Sequence, residues 1–130
     1  MRRLILTALI VFINIAVAHA QTLKVTAVDA STTQLYNNTA TNALGKNMAI
    51  TVYDNSVSVK VANEKPVILK LVSDNNYSTV VRDVDTEIEI HSITLNRTVS
   101  VLTSAEYTVN INEKGGKYRR AWIKITAKRF

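Results

Sequence analysis

The last thirteen residues alternate between two kinds of side chain. Tyr118, Arg120, Trp122, Lys124, Thr126, Lys128 and Phe130 share one parity; Ala121, Ile123, Ile125 and Ala127 share the other. In an extended strand successive side chains point to opposite faces, so the aliphatic row is the natural core face. The opposite row interleaves aromatic rings with cations. Such a row can stack flat rings or sugars while its ammonium and guanidinium groups pair with phosphate or sulfate. Tyr118, Arg120, Trp122, Lys124 and Lys128 are therefore the candidate ligand-binding residues. The competing reading is that Trp122 fills a barrel end or is covered by another chain.

A second constellation is Glu87, Glu89 and His91. At every-other spacing their side chains would share a strand face, about 6.5–7 Å apart. Two carboxylates and an imidazole can bind a divalent ion, or a carboxylate can orient the imidazole. Metal sites draw ligands from several elements, and nothing distant in the sequence completes this one. The favoured reading is a solvated strand face with Ile88 and Ile90 beneath it. Asp54-Asn55, Asp74-Asn75-Asn76 and Asp83/Asp85 lack the spaced carboxylates and central Gly of a calcium loop. They read instead as turns formed by Asx side chains. No metal or cofactor is implied.

For nucleophilic catalysis the chain offers little. There is no Cys, His91 is the only histidine beyond residue 20, and no Gly-x-Ser-x-Gly or Gly-rich phosphate loop occurs. No carboxylate pair stands out for glycoside cleavage. The expectation is a protein that binds rather than an enzyme. The three Asn-x-Ser/Thr patterns at Asn37, Asn76 and Asn96 read as chance matches.

The elements that must position these residues read as strands. Val, Ile, Thr and Tyr dominate residues 21–130, with a single Pro and three Gly in the whole chain. Thr22–Val28 alternates weakly and predicts a first strand. Residues 31–46 are polar and predict a loop or short helix ending at Gly45, a candidate ligand-facing loop. At 48–61, Met48, Ile50 and Val52 share one face of the first arm. Asp54-Asn55 turns the chain, and Val57, Val59 and Val61 share one face of the second, a hairpin signature. Val67–Val72 is apolar nearly throughout and predicts a strand covered on both faces. Tyr77–Val81 and Glu87–Leu95 follow. Ile88 and Ile90 lie on one parity and Ile93 and Leu95 on the other, so a β-bulge at His91-Ser92 is expected. Thr98–Leu102 and Glu106–Ile111 are the next strands. A Glu113–Gly116 hairpin loop then leads to a long last strand, Lys117–Lys128. Eight or nine short strands with frequent turns and no helix-period segment predict an antiparallel β-barrel or β-sandwich.

The first twenty residues specify a compartment. Arg2 and Arg3 precede an apolar run from Leu4 to Ala18, and Ala18-His19-Ala20 supplies a small-x-small cleavage pattern. This is the form of a secretory signal peptide, 1–20, with Gln21 as the new N-terminus. The run is shorter than the ~20 residues of a spanning helix. The remainder, 21–130, forms one all-β domain, exported to the periplasm or outside the cell, with no later segment able to span a membrane as a helix. Without cysteine it has neither disulfides nor a lipid-bearing N-terminal Cys. Removing Arg2 and Arg3 from 16 basic residues leaves 14 against 10 acidic. Seven of these bases lie within 114–130, a stretch without an acid. A basic end on a mildly acidic body points to anionic glycans, lipid head groups or another envelope protein as partners, with nucleic acid disfavoured by export.

Several stretches together carry a resemblance. They are the leader ending Ala20-Gln21, then Thr22-Leu23-Lys24-Val25, the polar loop, and Ile50-Thr51-Val52-Tyr53-Asp54. Their order resembles small exported all-β proteins of Gram-negative bacteria, some of them lipocalin-like barrels. The Gly-x-Trp that opens lipocalins is missing, and no functional residue is carried over. The expected function is an exported non-enzymatic binding protein engaging an anionic or glycan-type partner through the basic-aromatic last strand. The alternative is a structural or adaptor protein of the envelope acting through sheet-edge or self-association contacts. An eight-stranded outer-membrane barrel is disfavoured because several predicted strands fall short of ~9–11 residues.

Overall fold

The structure is a computed structural model that describes residues 19–31, 43–114 and 119–130; His19, Arg119 and Arg120 are described by backbone alone. The expected leader and most of the 31–46 loop lie outside these residues, as do Gly115, Gly116 and Tyr118.

Eight strands follow one another: β1 (His19–Ala30), β2 (Asn47–Val52), β3 (Ser56–Val61), β4 (Val67–Ser73), β5 (Asn76–Asp83), β6 (Glu87–Thr98), β7 (Val101–Glu113) and β8 (Arg119–Lys128). Each pairs antiparallel with its sequence neighbour, and β8 pairs back onto β1, giving a closed barrel. Tight turns suit up-and-down neighbours, and closure, which the sequence reading left open against a sandwich, leaves no edge strand.

The β2–β3 hairpin forms in the register its alternation specifies. Met48 faces Val61, Ile50 faces Val59 and Val52 faces Val57. Met48, Ile50, Val57 and Val59 are almost wholly buried. The turn at Gly45 has a φ of 79°, a left-handed conformation that glycine adopts without a Cβ clash. Its N–H donates to the Val25 carbonyl (3.0 Å).

Five irregularities tune the barrel. Thr26, Val72, Val81, Thr103 and Arg120 are each an extra residue between consecutive pairs of the ladder. Each shifts the parity that faces inward. On β1, Leu23 and Val25 are buried before Thr26, whereas Val28 and Ala30 pack on the core after it. That bulge explains the weak alternation of Thr22–Val28.

Four sequence expectations are corrected. No bulge occurs at His91-Ser92, where β6 pairs with β7 without interruption from Glu87 to Asn96. Glu87, Glu89 and His91 consequently share the inward parity of buried Ile93 and Leu95, and Ile88 and Ile90 face outward. β4 is covered on one face only: Leu69 is buried, but Ile68 is 56% and Val72 68% exposed. Thr98–Leu102 is not a strand of its own. It holds the last residue of β6, the Val99-Ser100 turn and the start of β7, which continues through Glu106–Ile111.

The outer wall carries Lys24, Lys60, Lys70, Glu106, Lys124 and Lys128 among Ser and Thr, together with exposed Ile68, Val72 and Val80, and the buried core is largely aliphatic. Among the described residues no helix is long and apolar enough to cross a membrane.

Candidate functional site

The barrel interior is divided. One half, toward the β6–β7 turn, is filled by Leu23, Ile50, Val57, Leu69, Tyr77, Ile93, Leu95 and Leu102. Its end is closed by Gln21. β8 stops at Lys128, leaving β1 and β7 face to face, and the Gln21 amide spans the gap. It donates to the Leu102 carbonyl and accepts the Leu102 N–H (3.0 Å), as a neighbouring strand would.

The other half holds a cavity of about 380 Å³. Val59 and Val61 of β3, Val67 of β4, Val109 of β7, and Ile123 and Ile125 of β8 form its walls, with Ala43 against one side. Ala62, Glu64 and Lys65, in the β3–β4 turn, stand at its mouth. The residues that line it are small for a barrel of this strand number. Val59, Val61, Val67 and Val109 stand on three of its strands, whereas Leu23, Leu69, Leu95 and Leu102 lie in the other half. β4 and β5 also pair only near their turn, over Lys70–Ser73 and Asn76–Ser78. Toward the cavity they part.

Two side chains make the cavity polar at one wall. His91 and Tyr107 project from adjacent strands, with rings edge to face at 5.6 Å between centroids. His91 Nδ1 is hydrogen-bonded to the Tyr107 hydroxyl, and His91 Nε2 lies 3.3 Å from Glu89 Oε2. An ionised carboxylate only accepts, so Nε2 carries the proton and donates to Glu89. Nδ1 is then the acceptor, and Tyr107 donates its O–H to it. Burial lowers the His91 pKa, against the opposing hydrogen bond and charge of Glu89. Burial, then the Glu89 charge, raises that of Tyr107. The imidazole is held neutral and the phenol protonated. Behind this set, Arg82 is paired with Glu87, and Lys114 with Asp83 (2.6 Å).

This arrangement is an acceptor surface. Both imidazole nitrogens and the phenolic proton are engaged within the set, and the Tyr107 oxygen retains acceptor capacity. With both nitrogens of His91 occupied, the Glu87–Glu89–His91 face has no imidazole lone pair to offer an ion. Burial keeps the Tyr107 phenol protonated, with His91 as its acceptor and Glu89 behind the imidazole.

The last strand is placed differently from the cavity. Trp122, Lys124 and Lys128 lie on the outer wall, since Ile123, Ile125 and Ala127 face in. Trp122 is half-buried beside Asn110, and its backbone exchanges hydrogen bonds with Ser31 (2.9 Å each). Lys124 pairs with Glu106 (3.4 Å) on the neighbouring strand. Lys128 faces Lys24. Arg120 is the extra residue of a bulge, so Arg119 rather than Arg120 stands opposite Asn112. The parity row thus breaks at Arg120, and Tyr118 lies outside the described residues. The structure brings Trp122, Lys124 and Lys128 onto one wall, with an acid set among them.

Tyr107, Val109 and the cavity itself were not marked by the sequence reading as a site. The signal was present in part: His91 shares parity with Ile93 and Leu95, which marks an inward histidine once no bulge is assumed.

No protein-family model, no curated protein and no solved structure matches the chain. The functional reading therefore rests on the geometry of the barrel and its cavity.

Proposed function

We propose that this chain is an exported small-molecule binding protein that holds its ligand inside the barrel rather than catalysing a reaction. The observation that carries the reading is the cavity: about 380 Å³ of space, walled by Val59, Val61, Val67, Val109, Ile123 and Ile125, with one polar wall at His91 and Tyr107. A largely apolar pocket with a few convergent polar groups is the usual form of a small-molecule site. Export rests on the Arg2–Ala20 leader. Cleavage after Ala20 leaves Gln21 as the first residue, within β1 and clasped to Leu102. The basic outer wall around Lys124 and Lys128 then serves encounter with anionic surfaces, through long-range attraction rather than a built pocket.

The test uses N-phenylnaphthylamine, an uncharged fluorophore that brightens in apolar surroundings. Saturable brightening with the wild-type protein, lost in Val109→Trp with the circular dichroism unchanged, supports the reading. No brightening, or brightening that survives a filled cavity, overturns it.

A second reading, a structural envelope protein that self-associates, is favoured by the more-than-half-exposed Ile68 and Val80 on the outer wall. With the sheet closed, association would use this wall rather than a strand edge. Light scattering that gives a stable dimer, lost in Ile68→Lys, supports it; a monomer at all concentrations overturns it.

A further inference from the structure

We infer that the ligand of the cavity is an uncharged molecule with a compact apolar body and a hydrogen-bond donor at one end, an alcohol or a phenol, seated with that donor on the Tyr107 oxygen. The inference rests on the reading of the cavity as a ligand site, and it adds the chemistry of the occupant.

The body follows from the walls. Six Val and Ile side chains from four strands surround the space, and they offer contact without polar partners. At about 380 Å³ the cavity lies within the size range of small-molecule sites.

The polar end follows from where the protons are. Glu89 accepts from Nε2 of His91, so Nδ1 must accept, so the Tyr107 O–H points at His91 and away from the ligand. The order follows from a carboxylate that only accepts and an imidazole that burial keeps neutral, with a single ring proton to place. The wall therefore presents acceptor capacity to the cavity. A ligand carbonyl or ether placed there meets a second acceptor. A ligand carboxylate meets, in addition, the charge of Glu89 behind the imidazole. A hydroxyl completes the chain by donating to the Tyr107 oxygen.

The charged groups around the cavity agree with an uncharged ligand. On β6 itself Glu89 is used by His91, and Glu87 is paired with Arg82 from β5. From the β3–β4 turn, Glu64 and Lys65 adjoin each other at the water-exposed mouth, where opposite charges largely cancel and screening weakens both.

The test titrates three compounds with a common skeleton against the probe-loaded protein: para-butylphenol, para-butylanisole and para-butylbenzoate. They differ only in the end that meets the polar wall: a donor, the same oxygen with its donor methylated, and an anion. The expected order is phenol, then anisole about tenfold weaker, the loss of one buried hydrogen bond, then benzoate weaker still. In Tyr107→Phe, which removes a single oxygen, phenol and anisole should bind within about threefold of each other. Equal binding of all three, discrimination that survives Tyr107→Phe, or tightest binding by benzoate with loss in Lys65→Met overturns the inference and leaves the cavity reading standing. Failure of all three to displace the probe also overturns the inference, whereas the cavity reading falls only if the probe itself does not bind inside the barrel.

Discussion

The two halves of the barrel are built from the same eight strands and differ in what the strands carry inward. In the half toward the β6–β7 turn the inward residues are Leu69, Tyr77, Ile93, Leu95 and Leu102, all of them buried. In the other half they are Val59, Val61, Val67, Val109, Ile123 and Ile125, with His91 and Tyr107, and a cavity remains. Strand number sets the width of a barrel, and side-chain volume then decides whether it is filled. A few methylene groups per layer separate a core from a binding site.

The comparison can be broken most strongly by truncation. Leu69→Ala, at a fully buried position of the filled half, should cost about 2–5 kcal/mol, because transfer and cavity terms add there. Val109→Ala, which enlarges a space that already exists, should cost under about 1.5 kcal/mol. Urea denaturation of both variants gives the contrast, and equal losses would mean that the halves are packed alike.

The closed end supplies a smaller effect. Gln21→Ala removes the amide that stands in for a strand between β1 and β7, exposing both Leu102 backbone groups. A loss of about 1–2 kcal/mol is expected, with faster amide exchange at Leu102. An unchanged exchange rate at Leu102 would show that the end is closed by other means.

The hollow half has its own signature in pH. Burial holds the His91 pKa below its unfolded value of 6.5, so between the two values the unfolded chain binds the extra proton and the folded one does not. Stability contributed this way is fully present above pH 6.5 and falls as the pH drops through that window, by at most about 1.4 kcal/mol per unit. His91→Phe should flatten the slope between pH 7 and 5. A slope that persists in the variant would assign it to other groups.

The same division marks how far the sequence could be read. The β2–β3 hairpin is legible to the residue, because strict alternation on both arms and an Asx turn permit one register. The all-β class and the antiparallel order follow from turn spacing. Bulges are what hide the rest. Thr26, Val81, Thr103 and Arg120 each shift the inward parity by one, and nothing in those residue types announces an extra member of the ladder. At His91-Ser92 the opposite error arises. Ile88 and Ile90 look like core and suggest a bulge, whereas the unbroken ladder turns them out and brings Glu89 and His91 in. An apolar pair on an outer wall costs little in a small barrel, whose surface is rich in apolar atoms in any case. The cavity was not legible because empty volume is a property of facing layers, and no single strand of this chain records which layers face. The outer row of Trp122, Lys124 and Lys128 was legible as a face, but Glu106, which pairs with Lys124, comes from another strand.

The most direct test of a hollow half beside a filled one is methyl-resolved nuclear magnetic resonance during a titration with para-butylphenol. The account predicts shifts at the methyls of Val59, Val61, Val67, Val109, Ile123 and Ile125, with those of Leu69, Leu95 and Leu102 unmoved. Shifts confined to the outer wall, at Ile68, Val80 or the Trp122 indole, would contradict it.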